Sequence, residues 1–172
     1  WQMNLLIITQ KIDIDDPVLG FFHRWVEEFS KYCGNVVVIC LSRGNYNLPA
    51  NVKVLSLGKE KGVSRLSYIY NFYKYLWQEN SNYDKVFVHM NPIYFVLAGC
   101  WWKLIGKRAG LWYTHRQIDL KLRMAEKFAD VIFTAAKESF CLPSNKVKVV
   151  GHGIDLSNFT CSHAAVRPRV GQ

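Results

Sequence analysis

Seven short apolar runs alternate with segments of helical periodicity along this chain, and this alternation constrains its fold more than any other feature. The runs are apolar at almost every position, as expected of strands that are buried on both faces. Strands of this kind belong to parallel sheets, whose crossover connections carry helices. The predicted strands are residues 4–9, 36–41, 52–57, 86–90, 109–114, 131–133 and 147–150.

Between the strands, apolar residues recur at three- and four-residue spacing, which indicates helices with one buried face. Phe22, Trp25, Val26 and Phe29 give this pattern in the first segment. The alternation predicts an α/β fold, a Rossmann-like doubly wound parallel sheet with helices on both faces. The predicted helices are residues 19–32, 64–78, 92–105 and 120–129, followed by a short helical turn at 135–142.

One domain is predicted over residues 3–159. Trp1 and Gln2 precede Met3 and are interpreted as residues added before the natural start. Residues 160–172 have no periodicity and are interpreted as a disordered or non-native tail. Half of the 172 residues are hydrophobic, which is enough to bury a core in a domain of this size.

The chain is basic, with 22 lysines and arginines against 13 acidic residues and a net charge of +9. Such an excess is typical of proteins with an anionic partner, such as a phosphorylated ligand, an anionic lipid surface or nucleic acid. The basic residues are scattered, so a solvated basic surface is the alternative. Nucleic-acid-binding signatures are missing, and no nucleic acid partner is expected.

The five cysteines predict neither a disulfide framework nor a metal site, because their number is odd and no CxxC spacing occurs. Four of them lie in apolar segments and are predicted to be small core residues. This usage fits a reducing compartment, and a cytoplasmic location is expected. The apolar run at residues 5–8 is too short for a signal peptide, and the longest run, 93–102, is about half a membrane span.

Common nucleotide fingerprints are missing from the chain. No GxGxxG follows the first strand, and no P-loop or GxSxG elbow occurs. In open α/β sheets, ligands bind at the carboxyl ends of the strands. The candidate binding residues therefore follow or close predicted strands, and they comprise Gly20, His89, Asn91, His115, Arg116, Gly151 and Gly153.

Several segments, taken in order, carry a resemblance to a known family. Residues 84–92 (DKVFVHMNP) and 110–115 (GLWYTH) resemble two strand ends of the N-terminal domain of GT-B glycosyltransferases, most similar to glycosyltransferase family 4. Residues 129–136 (ADVIFTAA) and 147–155 (VKVVGHGID) resemble the segments that close that domain. The resemblance covers residues 3–159.

The resemblance implies transfer of a sugar from a nucleotide-sugar to a glycan or lipid-linked acceptor, with retention at the anomeric carbon and no further cofactor. In that family a second Rossmann-like domain binds most of the donor, while the first supplies the acceptor site. The second domain is absent here, so the chain is expected to be one half of a GT-B fold and inactive alone. A non-catalytic membrane-binding subunit of a split glycosyltransferase is the alternative.

By the same resemblance, His115 is the candidate catalytic residue, because the family's cleft histidine contacts the donor sugar near the reacting carbon. Arg116 is a candidate for a phosphate or an acidic acceptor. His89 and Asn91 are candidates for the acceptor, and Gly20 for close approach of a ligand. The alternatives are that His115 only hydrogen-bonds to backbone at the strand end and that Arg116 is solvated. His89 and Asn91 would then form the turn around Pro92, and Gly20 would only begin a helix.

Two departures from the family pattern concern the glycines. The first loop has Gly20 alone where the family often has a pair, and His152 precedes Gly153 where it usually has asparagine. Gly151 and Gly153 are candidates for substrate binding, with hinge geometry as the alternative.

Three aspartates and one aromatic segment leave further alternatives open. Asp13, Asp15 and Asp16 are interpreted as a solvated loop rather than a metal site, because the loop lacks the EF-hand pattern.

The aromatic segment 68–77 is predicted to pack mostly into the core. Peripheral docking on the inner face of a membrane is the alternative, with Tyr70, Tyr73 and Lys74 as the exposed candidates.

Overall fold

Seven parallel strands form one sheet in the computed structural model, which describes residues 2–151. The order across the sheet is β3-β2-β1-β4-β5-β6-β7, and every neighbouring pair is parallel. This arrangement confirms the predicted fold class. The strands are β1 (Met3–Ile12), β2 (Cys33–Arg43), β3 (Val52–Ser56), β4 (Lys85–His89), β5 (Arg108–Trp112), β6 (Val131–Thr134) and β7 (Val147–Val149).

Four α-helices connect these strands, and short 3-10 turns lie at Lys59–Lys61, Asn80–Asn82 and Lys137–Ser139. The last turn replaces the longer helical turn predicted at 135–142. Ala136 and Phe140 flank this turn and both have extended backbone, so the helical turn does not continue to residue 142. The helices are α1 (Gly20–Tyr32), α2 (Arg65–Gln78), α3 (Ile93–Leu104) and α4 (Leu120–Phe128).

The first two strands, β1 and β2, are longer than predicted. β1 continues to Ile12, which pairs with Arg43 of β2 and is fully buried. At its other end β2 begins at Cys33, directly after α1, and Cys33 pairs with Met3. Residues 10–12 were predicted as loop because Gln10 and Lys11 interrupt the apolar run, but backbone pairing continues through them.

The two faces of the sheet are covered unequally by the described helices. Leu6 and Ile8 point to one face, where α2, α3 and α4 pack, and its largest buried side chains include Phe72, Phe95 and Trp102. Leu5 and Ile7 point to the other face, where α1 packs through Phe22 and Val26. None of the described helices is both long enough and apolar enough to cross a membrane.

Two of the four cysteines predicted to be core residues are not in the core. Cys33 and Cys40 are buried, as predicted, but Cys100 and Cys141 are exposed. Cys100 lies on the outer side of α3, whose inner side carries Gly99 and Trp102. An apolar neighbourhood in sequence does not decide which side of a helix faces the core. The predicted tail, residues 160–172, lies outside the described residues.

Gly99 sets the distance between α3 and α4. A Cβ atom added at Gly99 would lie 2.7 Å from Cβ and 3.0 Å from Cγ of Phe128 on α4. These atoms are close to the α4 backbone, so a rotamer change cannot move them far. Glycine therefore allows the two helices to approach each other.

Replacing Gly99 by valine should destabilise the fold, because overpacking of a core costs about 1–3 kcal/mol. The measurement is the free energy of unfolding in urea. Cys100→Val is the matched control, since it places the same side chain at the next, exposed position and should change stability by no more than about 0.5 kcal/mol. Equal effects of the two substitutions would contradict this account of Gly99.

Candidate functional site

The loops after β1, β4 and β5 meet at the carboxyl edge of the sheet. The backbone N–H of Met90, directly after β4, donates to the carbonyl of Trp112 at 2.8 Å. The Thr114 hydroxyl, after β5, lies 3.3 Å from the Met90 sulfur. The first turn of α1 packs over the end of β4, because the rings of Phe22 and His89 stack with centroids 4.0 Å apart. The structure therefore brings these three loops together.

This edge also contains the point where the strand order reverses. From β1 the chain runs outward through β2 and β3, and it then returns to β4 on the other side of β1. In doubly wound folds the connections on the two sides of such a point leave in opposite directions, and ligands usually bind between them. Gly20 begins α1 after β1, Asn91 follows β4, and His115 follows the neighbouring strand β5.

Met90 has strained backbone at the edge. Its φ is 62°, the one positive value of a non-glycine residue among residues 2–151. This left-handed conformation is unfavourable for a residue with a Cβ atom, and such strain tends to occur at functional sites. It is held by the hydrogen bond of Met90 to Trp112 and by the contact with Thr114. The next residue, Asn91, is half-buried.

Tyr113 organises the loop that carries His115 and Arg116. Its ring is buried and makes an edge-to-face contact with His115, with centroids 5.6 Å apart, and its hydroxyl donates to the Gln117 carbonyl at 3.0 Å. Burial, followed by the charge of Asp119, raises the pKa of the Tyr113 phenol, which stays a proton donor at neutral pH. His115 and Arg116 are exposed. Their predicted roles are thus compatible with access from solvent.

His89 lies in the core, with 1% of its surface exposed. Its Nδ1 is 3.3 Å from the hydroxyl of buried Thr9, and Phe21, Phe22 and Trp25 of α1 surround the ring. Burial lowers the pKa of His89 to about 4, so the imidazole is neutral at physiological pH. In this conformation His89 packs under the first turns of α1. Its role in acceptor binding stays a prediction.

Asp16 lies in the turn that precedes α1, which begins at Gly20. Its Oδ1 accepts hydrogen bonds from the backbone N–H groups of Val18 at 2.9 Å and Leu19 at 2.7 Å, while Oδ2 accepts from Lys11 at 2.7 Å. The Lys11 hydrogen bond, followed by those from the two amides, lowers the pKa of Asp16 to about 2. The carboxylate is thus held by backbone amides of the turn that leads into α1.

Gly20 is packed against its own loop. Its N–H donates to the Asp16 carbonyl at 2.9 Å, and an added Cβ would lie 3.1 Å from the carbonyl oxygen of Ile14. Asp13 pairs with Lys11 at 2.9 Å and accepts the amide N–H of Asn45 at 3.2 Å. Lys11 thus pairs with two of the three aspartates. Within residues 2–151 no cluster of His, Cys, Asp and Glu is arranged to hold a metal ion.

Gly151 lies after β7 and is the last described residue. Its φ of 78° is in the left-handed region that favours glycine, and the Val150 N–H just before it donates to the Thr134 carbonyl at 2.9 Å. The other predicted glycine, Gly153, lies outside the described residues.

Sequence reasoning missed three residues that shape the edge. Asp16 stands before Pro17, a pattern typical of turns in which the aspartate accepts a backbone N–H two residues on, and this signal could have identified it. Tyr113 was assigned only to a strand, and nothing in its pattern indicates that its hydroxyl reaches the Gln117 carbonyl. Methionine at a left-handed position has no sequence signal, because local preference disfavours it.

Taken together, the edge offers an exposed imidazole and an exposed guanidinium at the end of a rigid strand, with a half-buried amide nearby. A guanidinium binds carboxylate or phosphate through paired N–H donors. Imidazole and amide groups bind hydroxyl groups. This set is suited to a polar ligand that carries hydroxyl and anionic groups.

Comparison with solved structures identifies the fold at a finer level. The chain superimposes on Anabaena HepE in complex with UDP with a TM-score of 0.60 at 14% identity, covering 90% of this chain and 45% of HepE. HepE is also known in complex with UDP-glucose. The lipopolysaccharide outer core galactosyltransferase WaaB gives a TM-score of 0.57 at 14% identity, covering 90% and 47%.

MurG of Acinetobacter baumannii gives a TM-score of 0.51 at 12% identity, covering 90% and 47%. The chain thus spans about half the length of these structures, and its fold is that of one half of a GT-B glycosyltransferase. No protein-family model matches the sequence, and no curated protein matches it.

The buried His89 should make the fold sensitive to mild acid. Its pKa is about 4 in the fold and about 6.5 in the unfolded chain, so between these values the unfolded state binds more protons and stability falls as the pH falls. From pH 7 to pH 5 the free energy of unfolding should decrease by about 2 kcal/mol from this residue. Urea titrations at the two pH values measure it.

His89→Phe retains a ring against Phe22 and removes the titrating group, so its pH dependence between 7 and 5 should be smaller by that amount. His115→Phe is the control, because His115 is exposed, and it should keep the wild-type dependence. An unchanged pH dependence in His89→Phe would show that other groups cause the acid sensitivity.

Proposed function

We infer that this chain is the acceptor-side, N-terminal half of a retaining glycosyltransferase that resembles family 4. It contributes to transfer of a sugar from a nucleotide-sugar to a glycan or lipid-linked acceptor. The observation that carries the proposal is the placement of His115 and Arg116, exposed on the loop that Tyr113 holds, at the carboxyl edge of a GT-B half-fold. In this proposal His115 contacts the sugar at the reacting carbon and Arg116 a phosphate or an acidic acceptor group.

The start of α1 supports a minor role for this half in donor binding. The amides of Val18 and Leu19, in the turn directly before α1, already bind the Asp16 carboxylate. A diphosphate would have to displace a carboxylate that is paired with Lys11. Most of the donor affinity is therefore assigned to the second half of the fold, and this half is inactive alone.

A titration of the 15N-labelled chain with UDP-glucose tests both parts of the proposal. We expect a dissociation constant weaker than about 1 mM, because most donor contacts belong to the other half. Amide shifts should be confined to the loops after β4 and β5. Arg116→Ala should weaken binding about ten-fold, as expected for the loss of a charge-assisted hydrogen bond.

Arg108→Ala is the matched control, since Arg108 is an exposed arginine at the opposite end of the same strand. It should bind as the wild type does. Stoichiometric binding at micromolar concentration would contradict the assignment of the donor site to the other half. Shifts on another surface, or equal effects of the two arginine variants, would contradict the assigned edge.

The second candidate function is docking on an anionic membrane as a non-catalytic subunit, and one surface favours it. Tyr70, Tyr73 and Lys74 are exposed, as was predicted for the alternative, and Trp77 is 79% exposed. The Tyr73 hydroxyl donates to the Leu97 carbonyl of α3, so this stripe adjoins the outer side of α3. That side adds Trp101, Lys103 and Leu104.

Aromatic rings beside lysines are typical of surfaces that enter the headgroup region of a bilayer. Co-sedimentation with vesicles of phosphatidylcholine and 30% phosphatidylserine tests this candidate. The double substitution Tyr70→Ser and Trp77→Ser should lower the partition coefficient about ten-fold. Tyr32→Ser and Tyr46→Ser remove two exposed rings elsewhere and should leave it unchanged. No binding by the wild type at low salt would eliminate the candidate.

A further inference from the structure

The connection between β4 and α3 is very short. β4 ends at His89 and α3 begins at Ile93, so Met90, Asn91 and Pro92 alone lead the chain from the sheet into the helix. Pro92 has a fixed φ of −65° and disfavours helical backbone at the residue before it. The remaining freedom of the connection lies at Met90, whose backbone therefore decides the direction in which Asn91 leaves the strand.

Met90 has a conformation that suits glycine better than methionine. Its φ of 62° lies in the left-handed region, where glycine and asparagine are common and other residues are strained. Glycine would form the same turn without strain, but it would lack the contact between the Met90 sulfur and the Thr114 hydroxyl at 3.3 Å. Together with the hydrogen bond of its N–H to the Trp112 carbonyl, this contact holds the turn against the loop that carries His115.

The side-chain amide of Asn91 has no partner in the described part of the chain. It is half-buried, and it forms no hydrogen bond within residues 2–151. Only the backbone takes part in the turn, where the Asn91 carbonyl accepts the N–H of Tyr94 at 3.4 Å. Asparagine in a turn commonly bonds to its own backbone, and polar groups that are removed from water usually have a partner. This amide is therefore available to a ligand at the carboxyl edge.

We propose that Met90 is a positioning residue, whose left-handed backbone aims the free amide of Asn91 at the ligand that His115 and Arg116 contact. The amide would bind a hydroxyl group of that ligand, because it offers both a donor and an acceptor. Met90 touches no ligand itself and acts through Asn91, while the contact with Thr114 keeps the loops after β4 and β5 together. This assignment rests on the proposed function and adds a residue to its site.

A matched pair of substitutions separates the backbone of residue 90 from its side chain. Met90→Asn and Met90→Val both remove the sulfur and introduce side chains of similar size, but only asparagine adopts left-handed backbone readily. Amide hydrogen exchange followed by NMR reports this backbone, because the N–H of residue 90 is bonded to the Trp112 carbonyl. Its protection factor should be about ten-fold lower in Met90→Val than in Met90→Asn.

Binding of UDP-glucose shows whether this conformation acts through Asn91. Met90→Val and Asn91→Ala should each weaken binding about five-fold, as expected for the loss of one hydrogen bond, and the double variant should weaken it no further. Met90→Asn should bind within about two-fold of the wild type. A residue that only stabilises the fold would not give this non-additivity. Met3→Val is the control, since it makes the same change at an exposed position of β1, and it should bind as the wild type does.

Thermal unfolding followed by circular dichroism shows whether each variant is folded. Met90→Ala, which also disfavours left-handed backbone and adds no bulk, takes the place of Met90→Val if the valine variant does not fold.

Two results would overturn the proposal while the proposed function stands. The first is equal protection of the residue 90 amide in the two variants, because its backbone would then not depend on the side chain. The second is additive weakening by Met90→Val and Asn91→Ala, or unchanged binding in both, while Arg116→Ala still weakens binding. Absence of binding by the wild type would contradict the proposed function itself, and the assignment of Met90 would fail with it.

Discussion

The parallel pairing of β1 with both β2 and β4 is the constraint on which the rest of the structure depends. β1 is buried between them, and the strand order reverses between β1 and β4. Because the strands are parallel, the loops after β1, β2 and β4 lie at the same edge of the sheet. The connections after β1 and β4 lead to opposite sides of the sheet order. It also places α1 over the end of β4, where the Phe22 ring stacks on His89. The candidate site is therefore a consequence of topology before any ligand chemistry is considered.

Much of this topology could be predicted from the sequence, because apolar runs mark buried strands independently of their neighbours. The helix starting after Asp16 and the stripe containing Phe72 and Leu76 follow from local periodicity in the same way. Strand ends were less predictable. Gln10 and Lys11 are polar, yet β1 continues through them because β2 offers backbone partners on one side.

The sequence predicted that the candidate residues follow strand ends, but it did not predict the contacts between them or which side chains are buried. The sequence predicts His89 as the end of a strand, because it follows an apolar run, but whether its ring is covered depends on where α1 packs. Met90 and Tyr113 act through contacts with residues from other strands or beyond a turn, and such contacts leave no local pattern. His115 and Arg116 lie in the loop after β5, which ends at Trp112, and both are exposed. Their exposure is compatible with the predicted contacts to a ligand.

The unequal covering of the sheet separates three surfaces with different chemistry. The carboxyl edge holds polar groups, the outer side of α2 and α3 carries exposed aromatic rings, and the opposite face of the sheet has an apolar groove with a basic rim. Because the last two surfaces lie on opposite sides of the sheet, a contact at one does not cover the other. The carboxyl edge depends on neither face, because the strand order alone determines which loops meet there.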